Sequence, residues 1–258
     1  MPAAVELTGD DLTIGDVWDV AVDRRSVVLG ARGRERAAAA RAFLESEVGD
    51  HTYGVNTGFG RFVSESIPPE QAAELQLRLL RSHACGVGDP YPDEVVRAAM
   101  LLRANALAKG YSGARVETVE LLVSMLVAGI VPVVPARGSV GASGDLAPLA
   151  HLALPLVGEG EATVEGRLQS GADALRAVGL RPIVLEAKEG LSLINGTQFM
   201  TVNASHVLGL VDRGRLQPGH RADVVLLAAP DWRHLAYHLA GDVVHTVVRE
   251  GRVVVSRA

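Results

Sequence analysis

The sequence predicts a mainly α fold with a short β-rich C-terminal segment. Three observations carry that expectation. Apolar residues recur at helical spacing between glycine-rich loops as far as Met200. From Thr201 onward, valine runs and turn pairs replace that spacing. Hydrophobic residues make up 48% of the 258 positions but aromatics only 4%, so the expected core is built from Ala, Leu and Val.

Each element has a local cause. Residues 32–48 set charged side chains around an alanine-rich stripe and predict an exposed amphipathic helix. Residues 51–62 read as a glycine-rich loop. Helical periodicity returns over 69–86, where Leu75, Leu77, Leu79 and Leu80 are apolar. A further helix is expected over 93–108 with Asp93 as its N-cap, and another over 116–128. The uncharged stretch 121–136 contains Pro132 and Pro135 and is too short and broken to span a bilayer. It predicts a core helix ending before Pro132 and then an extended segment. Asp145 is expected to cap a helix over 146–152, with Pro148 tolerated in the first turn. Residues 158–166 suggest a hairpin-like excursion, followed by a helix near 172–178. In the tail, Pro218-Gly219 marks a turn and 224–227 a buried strand. Residues 243–248 and 253–255 flank Glu250-Gly251 as a β-hairpin. The expected division is therefore 1–200 and 201–258.

Composition excludes several classes. A net charge of −5 argues against a nucleic-acid surface. The single cysteine, Cys85, allows no internal disulfide, suits a reducing cytoplasm, and reads as a small buried hydrophobe. Glu6, Asp10 and Asp11 stand where a signal peptide needs a basic end and an apolar run, so no leader or membrane association is expected. Gly54, Gly58 and Gly60 lack the Lys-Ser/Thr ending of a phosphate-binding loop. His220, His234, His238 and His245 read as solvated surface histidines, and no metal is expected.

The most informative run is 138–151, with Ala142-Ser143-Gly144 at its centre. If the Gly144 amide nitrogen attacks the Ala142 carbonyl carbon, a five-membered ring closes. Loss of one water from the ring, and of the Ser143 hydroxyl as a second, leaves a 4-methylidene-imidazol-5-one. This conjugated electrophile does work that ordinary side chains cannot do and that proteins otherwise take from cofactors. The residue types suit it: Gly144 has no Cβ to block the approach of its nitrogen, Ala142 is small, and Ser143 supplies the leaving group. A helix starting just beyond the ring would place partial positive charge where negative charge develops.

Five blocks in order extend this signal: 53–60 (Tyr53 to Gly60), 79–88 (Leu79 to Gly88), 102–110 (Leu102 to Gly110), 138–151 and 188–198 (Lys188 to Gln198). On these blocks, residues 7–200 resemble the N-terminal part of the aromatic amino acid ammonia-lyase family. The pair Ser82-His83 resembles its histidine-specific members. The resemblance implies a helical ammonia-lyase fold in truncated form. It also implies a cytoplasmic carbon–nitrogen lyase in which Ala142, Ser143 and Gly144 form the electrophile autocatalytically. L-histidine is then the small-molecule substrate, deaminated without oxidation to urocanate and ammonia in histidine breakdown. The electrophile is attacked by the substrate, through its amine in the more widely held version. Tyr53 matches the residue placed near the substrate β-carbon, where base action requires a phenolate that a positively polarised site favours. His83 matches a position contacting the substrate imidazole. Asn195 matches the asparagine beside the electrophile, where an amide can hydrogen-bond the ring carbonyl or the substrate. The family assembles as a homotetramer whose sites draw on several subunits. A long helical region following the Asn-Gly-Thr-Gln motif supplies further site residues, including a carboxylate-binding arginine. That region has no counterpart after Met200.

Residues 201–258, including the run 231–238, resemble the C-terminal end of the imidazolonepropionase family of the amidohydrolase superfamily. Two alternatives to an active lyase follow. One is a catalytically dead, truncated fusion of two histidine-catabolism enzymes; the other, resting on the tail alone, is a metal-dependent amidohydrolase.

Overall fold

A computed structural model describes residues 3–138 and 144–199 and three strands of the tail. Contacts divide the chain into two units, Met1–Phe199 and Met200–Ala258. The fold is mainly α with few strands, as the sequence predicts.

The first unit opens with β1 (Val5–Leu7), α1 (Ile14–Ala21) and β2 (Val27–Leu29), the two strands pairing in parallel. Thr13 starts α1 through a reciprocal capping box with Asp16. Next come α2 (Ala31–Ser46), a 3-10 turn at Pro69–Gln71, α3 (Ala72–His83) and β3 (Val87–Pro90). Then α4 (Asp93–Ala108) and α5 (Val116–Val127) lead to β4 (Val131–Pro132) and β5 (Pro135–Arg137). After α6 (Leu146–Ala153) the chain makes the hairpin β6 (Glu161–Val164) and β7 (Arg167–Ser170). It continues into α7 (Gly171–Ala177) and α8 (Glu189–Ile194).

The core centres on α4, which packs against α1, α2 and α5. Met100, Leu101, Ala104, Leu107 and Ala108 are buried on it, as are Leu122, Met125 and Leu126 on α5. Burying each such large side chain stabilises the fold by roughly 1.5–3 kcal/mol. Gly33 lets α2 approach β1: a Cβ there would stand 2.5 Å from the Leu7 carbonyl oxygen. A second cluster joins α3, α6 and α8, which pack against one another and frame the site described below.

In the second unit β8 (Val224–Leu227), β9 (Val244–Arg249) and β10 (Arg252–Ser256) form an antiparallel sheet in the order β10-β9-β8. The strands expected on either side of Glu250-Gly251 pair antiparallel, and the turn residues themselves lie outside the described residues.

Several expectations need correction. Asp93 is the first helical residue of α4, and Pro92 takes the cap position; the carboxylate still opposes the positive helix end. Asp145 does stand at the cap of α6, but its side chain makes no capping bond and instead accepts from the Phe199 amide. Cys85 is exposed, because it lies in the loop after α3 rather than on a helix face turned to the core. In α3 the polar Gln76 is buried, while Leu75 and Leu77 are only half-buried. Gln76 is there because its amide serves the backbone, donating to the Gly54 carbonyl and accepting from the Leu191 amide.

Candidate active site

All five motif blocks meet at one cavity of about 620 Å³, with Arg103 and Leu146 standing for the blocks 102–110 and 138–151. The loop after α2 brings Tyr53 and Phe59 to it. The C-terminal turn of α3 brings His83, and α8 brings Lys188 at its start and Asn195 at its end.

Tyr53 is 45% exposed and packs edge-on against Phe59, with ring centroids 5.8 Å apart. Gly54, at φ +72°, lets the loop lie against α8, since a Cβ there would meet Leu191 at 2.9 Å. The Lys188 ammonium donates to the Tyr53 carbonyl at 2.8 Å and sits 5.7 Å from the Tyr53 ring centroid. Lys188 itself holds a left-handed backbone, φ +76°, a conformation that costs a non-glycine residue energy and that clusters at functional sites. Burial pulls its pKa below the ordinary lysine value.

His83 has Nδ1 2.9 Å from the Leu79 carbonyl and 3.1 Å from Ser82 Oγ. A carbonyl only accepts, so Nδ1 carries the proton in that bond and Nε2 is left for a second partner. Asn195 ends α8, is exposed, and has its carbonyl held by Arg103 Nη1 at 2.7 Å.

The turn after Asn195 abuts Gly144. The Gly196 carbonyl accepts from the Asp145 amide at 2.6 Å, and Gly144, at φ +107°, lies so close that a Cβ would overlap the Gly196 carbonyl oxygen. Only glycine fits there. Tyr53, His83 and Asn195 thus share one cavity, and Gly144 touches the turn that continues from Asn195. Ala142 and Ser143 lie outside the described residues. So do His220, His234 and His238 of the tail, as does the side chain of His245. Among the described residues no group of His, Cys, Asp and Glu is arranged to hold a metal ion. No described helix is long and apolar enough to cross a membrane.

Sequence reasoning overlooked Arg103, Lys188 and Glu189, although all three lie inside quoted blocks. The available signal was charge within an apolar pattern: Arg103 interrupts the buried face of α4. It also overlooked His151. Burial lowers the His151 pKa, and its Nε2 accepts from the Gly86 amide at 3.0 Å, tying the loop after His83 to α6. The unfolded chain has the ordinary value of 6.5 and the folded chain a lower one, so the unfolded state takes up the proton first. This stabilisation is therefore complete above about pH 6.5 and is lost as pH falls from there through the folded pKa. Denaturant midpoints measured between pH 7.5 and 5 should fall with acidification, and His151→Asn should flatten that limb. An equally steep limb in the variant would remove His151 as its source.

The description "aromatic amino acid lyase" covers the family model that matches residues 12–215. The chain is 56% identical over 211 residues to a histidine ammonia-lyase of Symbiobacterium thermophilum, covering 81% of this chain and 41% of that one. It is 52% identical over 199 residues to the histidine ammonia-lyase of Caldanaerobacter subterraneus subsp. tengcongensis, covering 76% and 39%. Among solved structures it is similar to the ergothioneine-degrading enzyme ergothionase of Treponema denticola. That likeness has a TM-score of 0.75 at 33% identity and covers 80% of this chain and 42% of the other. It is also similar to histidine ammonia-lyase of Trypanosoma cruzi, with a TM-score of 0.70 at 39% identity, covering 80% and 40%. The chain spans about two fifths of the length of these relatives. With the family model matched along most of its length, the chain belongs to the aromatic amino acid lyase family.

Proposed function

We propose that this chain carries the electrophile-forming part of an ammonia-lyase that converts L-histidine to urocanate and ammonia. The observation that supports it most is the cavity shared by Tyr53, His83 and Asn195, with Gly144 against the Asn195-Gly196 turn. The histidine ammonia-lyases among its relatives supply the substrate. The residues present fit a 4-methylidene-imidazol-5-one made from Ala142, Ser143 and Gly144. The Gly144 end of the tripeptide lies where a side chain has no room and where the next amide, that of Asp145, is already tied to Gly196. That ring supplies an electrophile for the substrate amine. The chain's own residues do the rest. His83, with Nδ1 occupied by Leu79, offers Nε2 to an imidazole N–H of the substrate. Tyr53 takes the β-proton, and the Lys188 ammonium near its ring supplies positive charge on that side. The Asn195 amide holds the ring carbonyl or the substrate. This reading includes a cytoplasmic setting; the homotetramer belongs to the full-length members of the family.

A second reading, a catalytically dead fusion with an imidazolonepropionase-like tail from residue 201, draws support from the contact boundary between Phe199 and Met200. The lyase family match runs on to residue 215, past that boundary, and so does not itself favour a seam at 201. One preparation separates the two. Intact mass of the soluble chain should be lower by two waters, and adding L-histidine should raise urocanate absorbance in the near ultraviolet. An unmodified mass would sink the electrophile. A lighter chain that releases no urocanate would favour the fusion.

A further inference from the structure

Arg103 projects from α4 into the wall of the cavity and is only 5% exposed. Burial alone draws its pKa down to about 10. Its Nη1 donates to the Asn195 carbonyl, while its Nε is buried with no hydrogen-bond partner among the described residues. Arg97 on the same helix is as deeply buried but makes three bonds, to the Val20, Ala21 and Leu126 carbonyls. Arg97 therefore accounts for itself as a tie between helix ends. Arg103 differs: a buried guanidinium with an unmet N–H is costly, and among the described residues its hydrogen bond goes to the Asn195 carbonyl.

What Arg103 reaches is the turn behind the electrophile. Its Nη1 holds the Asn195 carbonyl and crowds Gly196, where a Cβ would stand only 2.5 Å from it. On the opposite side, the Gly196 carbonyl holds the Asp145 amide and presses on Gly144. The Asp145 carboxylate then accepts from the Phe199 amide, which closes the turn on itself. One guanidinium thus holds the turn whose next carbonyl, that of Gly196, bounds the position of Gly144.

We propose that Arg103 is a positioning residue for the self-modification. By clamping the Asn195-Gly196 turn, it holds the Gly144 nitrogen in place for attack on the Ala142 carbonyl carbon. The inference rests on the electrophile reading above. In the step itself the Gly144 nitrogen bonds to the Ala142 carbonyl carbon and passes its proton to the Ala142 oxygen. That oxygen leaves as water with the Ser143 amide proton. The Ser143 hydroxyl leaves with its α-proton as the second water, so no oxidant or reductant is needed.

Arg103→Met keeps the bulk and removes the charge and the donor. Arg103→Lys keeps the charge but has a shorter reach. In the full chain, the fraction of folded molecules lighter by two waters should follow the order parent, Lys, Met. The loss in Met should be about tenfold or more, the scale of one hydrogen bond from a charged donor. Hydrogen exchange at the Asp145 amide should rise by about the same factor, since its acceptor Gly196 is released. Ring content and Asp145 exchange in Arg103→Met equal to the parent's would overturn the role. Should Arg103→Met not fold, Arg103→Lys decides. A lower ring content at unchanged helicity supports the clamp, and parental values in both measurements overturn it. A parent of unmodified mass overturns this role together with the electrophile. A light parent with an equally light Arg103→Met overturns this role alone.

Discussion

Replacing Ser143 by alanine is expected to leave a chain lighter than its sequence by at most one water and unable to release urocanate from histidine. The argument is chemical. Ring closure by the Gly144 nitrogen needs only the Ala142 carbonyl and can expel one water. The second water requires a hydroxyl on the β-carbon of residue 143, and alanine has none. The ring would then carry a methyl group in place of the methylidene and offer the substrate no electrophilic carbon. The expected loss of activity is at least about a thousandfold, the scale seen when a covalent catalyst is removed from an enzyme. Tyr53→Phe separates the two functions assigned to the site. It should keep the loss of two waters, because Tyr53 takes no part in cyclisation, and still lose about 10²–10⁴-fold in turnover as a missing general base. Undiminished deamination by Ser143→Ala, read as urocanate absorbance, would refute the electrophile. A fully active Tyr53→Phe would refute only the base.

Much of the helical frame was legible because long helices repeat their pattern often enough to declare themselves. The expected range 93–108 coincides with α4, and 116–128 overruns α5 by one residue. The tail strand 224–227 was legible as an unbroken apolar run. The parallel pair β1 and β2 was not, since three residues cannot establish a period of two. Nor was α8, whose six residues are held by partners distant in sequence rather than by propensity. The site divides in the same way. Tyr53, His83 and Asn195 were found through their motif blocks, and the fold brings all three to one cavity. Arg103 and Lys188 lie in the same blocks, but no sequence pattern assigns them a role there. Their significance depends on contacts between residues 92 and 135 positions apart, Arg103 to Asn195 and Lys188 to Tyr53. Gln76 was illegible for a related reason. A polar residue between leucines suggests solvent, and only the folded chain shows it serving the backbone of Gly54 and Leu191.

Glu189→Ala is expected to cost roughly 3–5 kcal/mol of stability, the price of removing one partner from a buried ion pair. Glu189 is fully buried at the first position of α8. Its Oε1 accepts from the Arg115 amide at 2.9 Å and from Thr118 Oγ1 at 2.5 Å. Its Oε2 accepts from Arg115 Nε at 3.2 Å, Arg115 Nη2 at 2.7 Å and the Glu186 amide at 2.8 Å. The carboxylate therefore joins the start of α8 to the start of α5. Arg41 extends the joint to α2 through the Glu186 carboxylate and the Ala187 carbonyl. Burial pushes the Glu189 pKa up, but the Arg115, Thr118 and backbone donors outweigh it and hold the pKa below the ordinary 4.5. The stabilisation is thus complete above about pH 4.5 and disappears as pH falls through the folded pKa, which makes it an acid limb distinct from that of His151. Glutamine is no remedy, because its amide would bring two more donors to a point where donors already converge. Since Lys188 precedes this carboxylate and Asn195 ends the same short helix, the loss should also reach the cavity. Weakened histidine binding is expected in whatever fraction of Glu189→Ala remains folded. Denaturant unfolding at pH 7 and at pH 4 measures the effect. A variant within about 1 kcal/mol of the parent at pH 7, the scale of an exposed pair, would show that α8 is held by its apolar face instead.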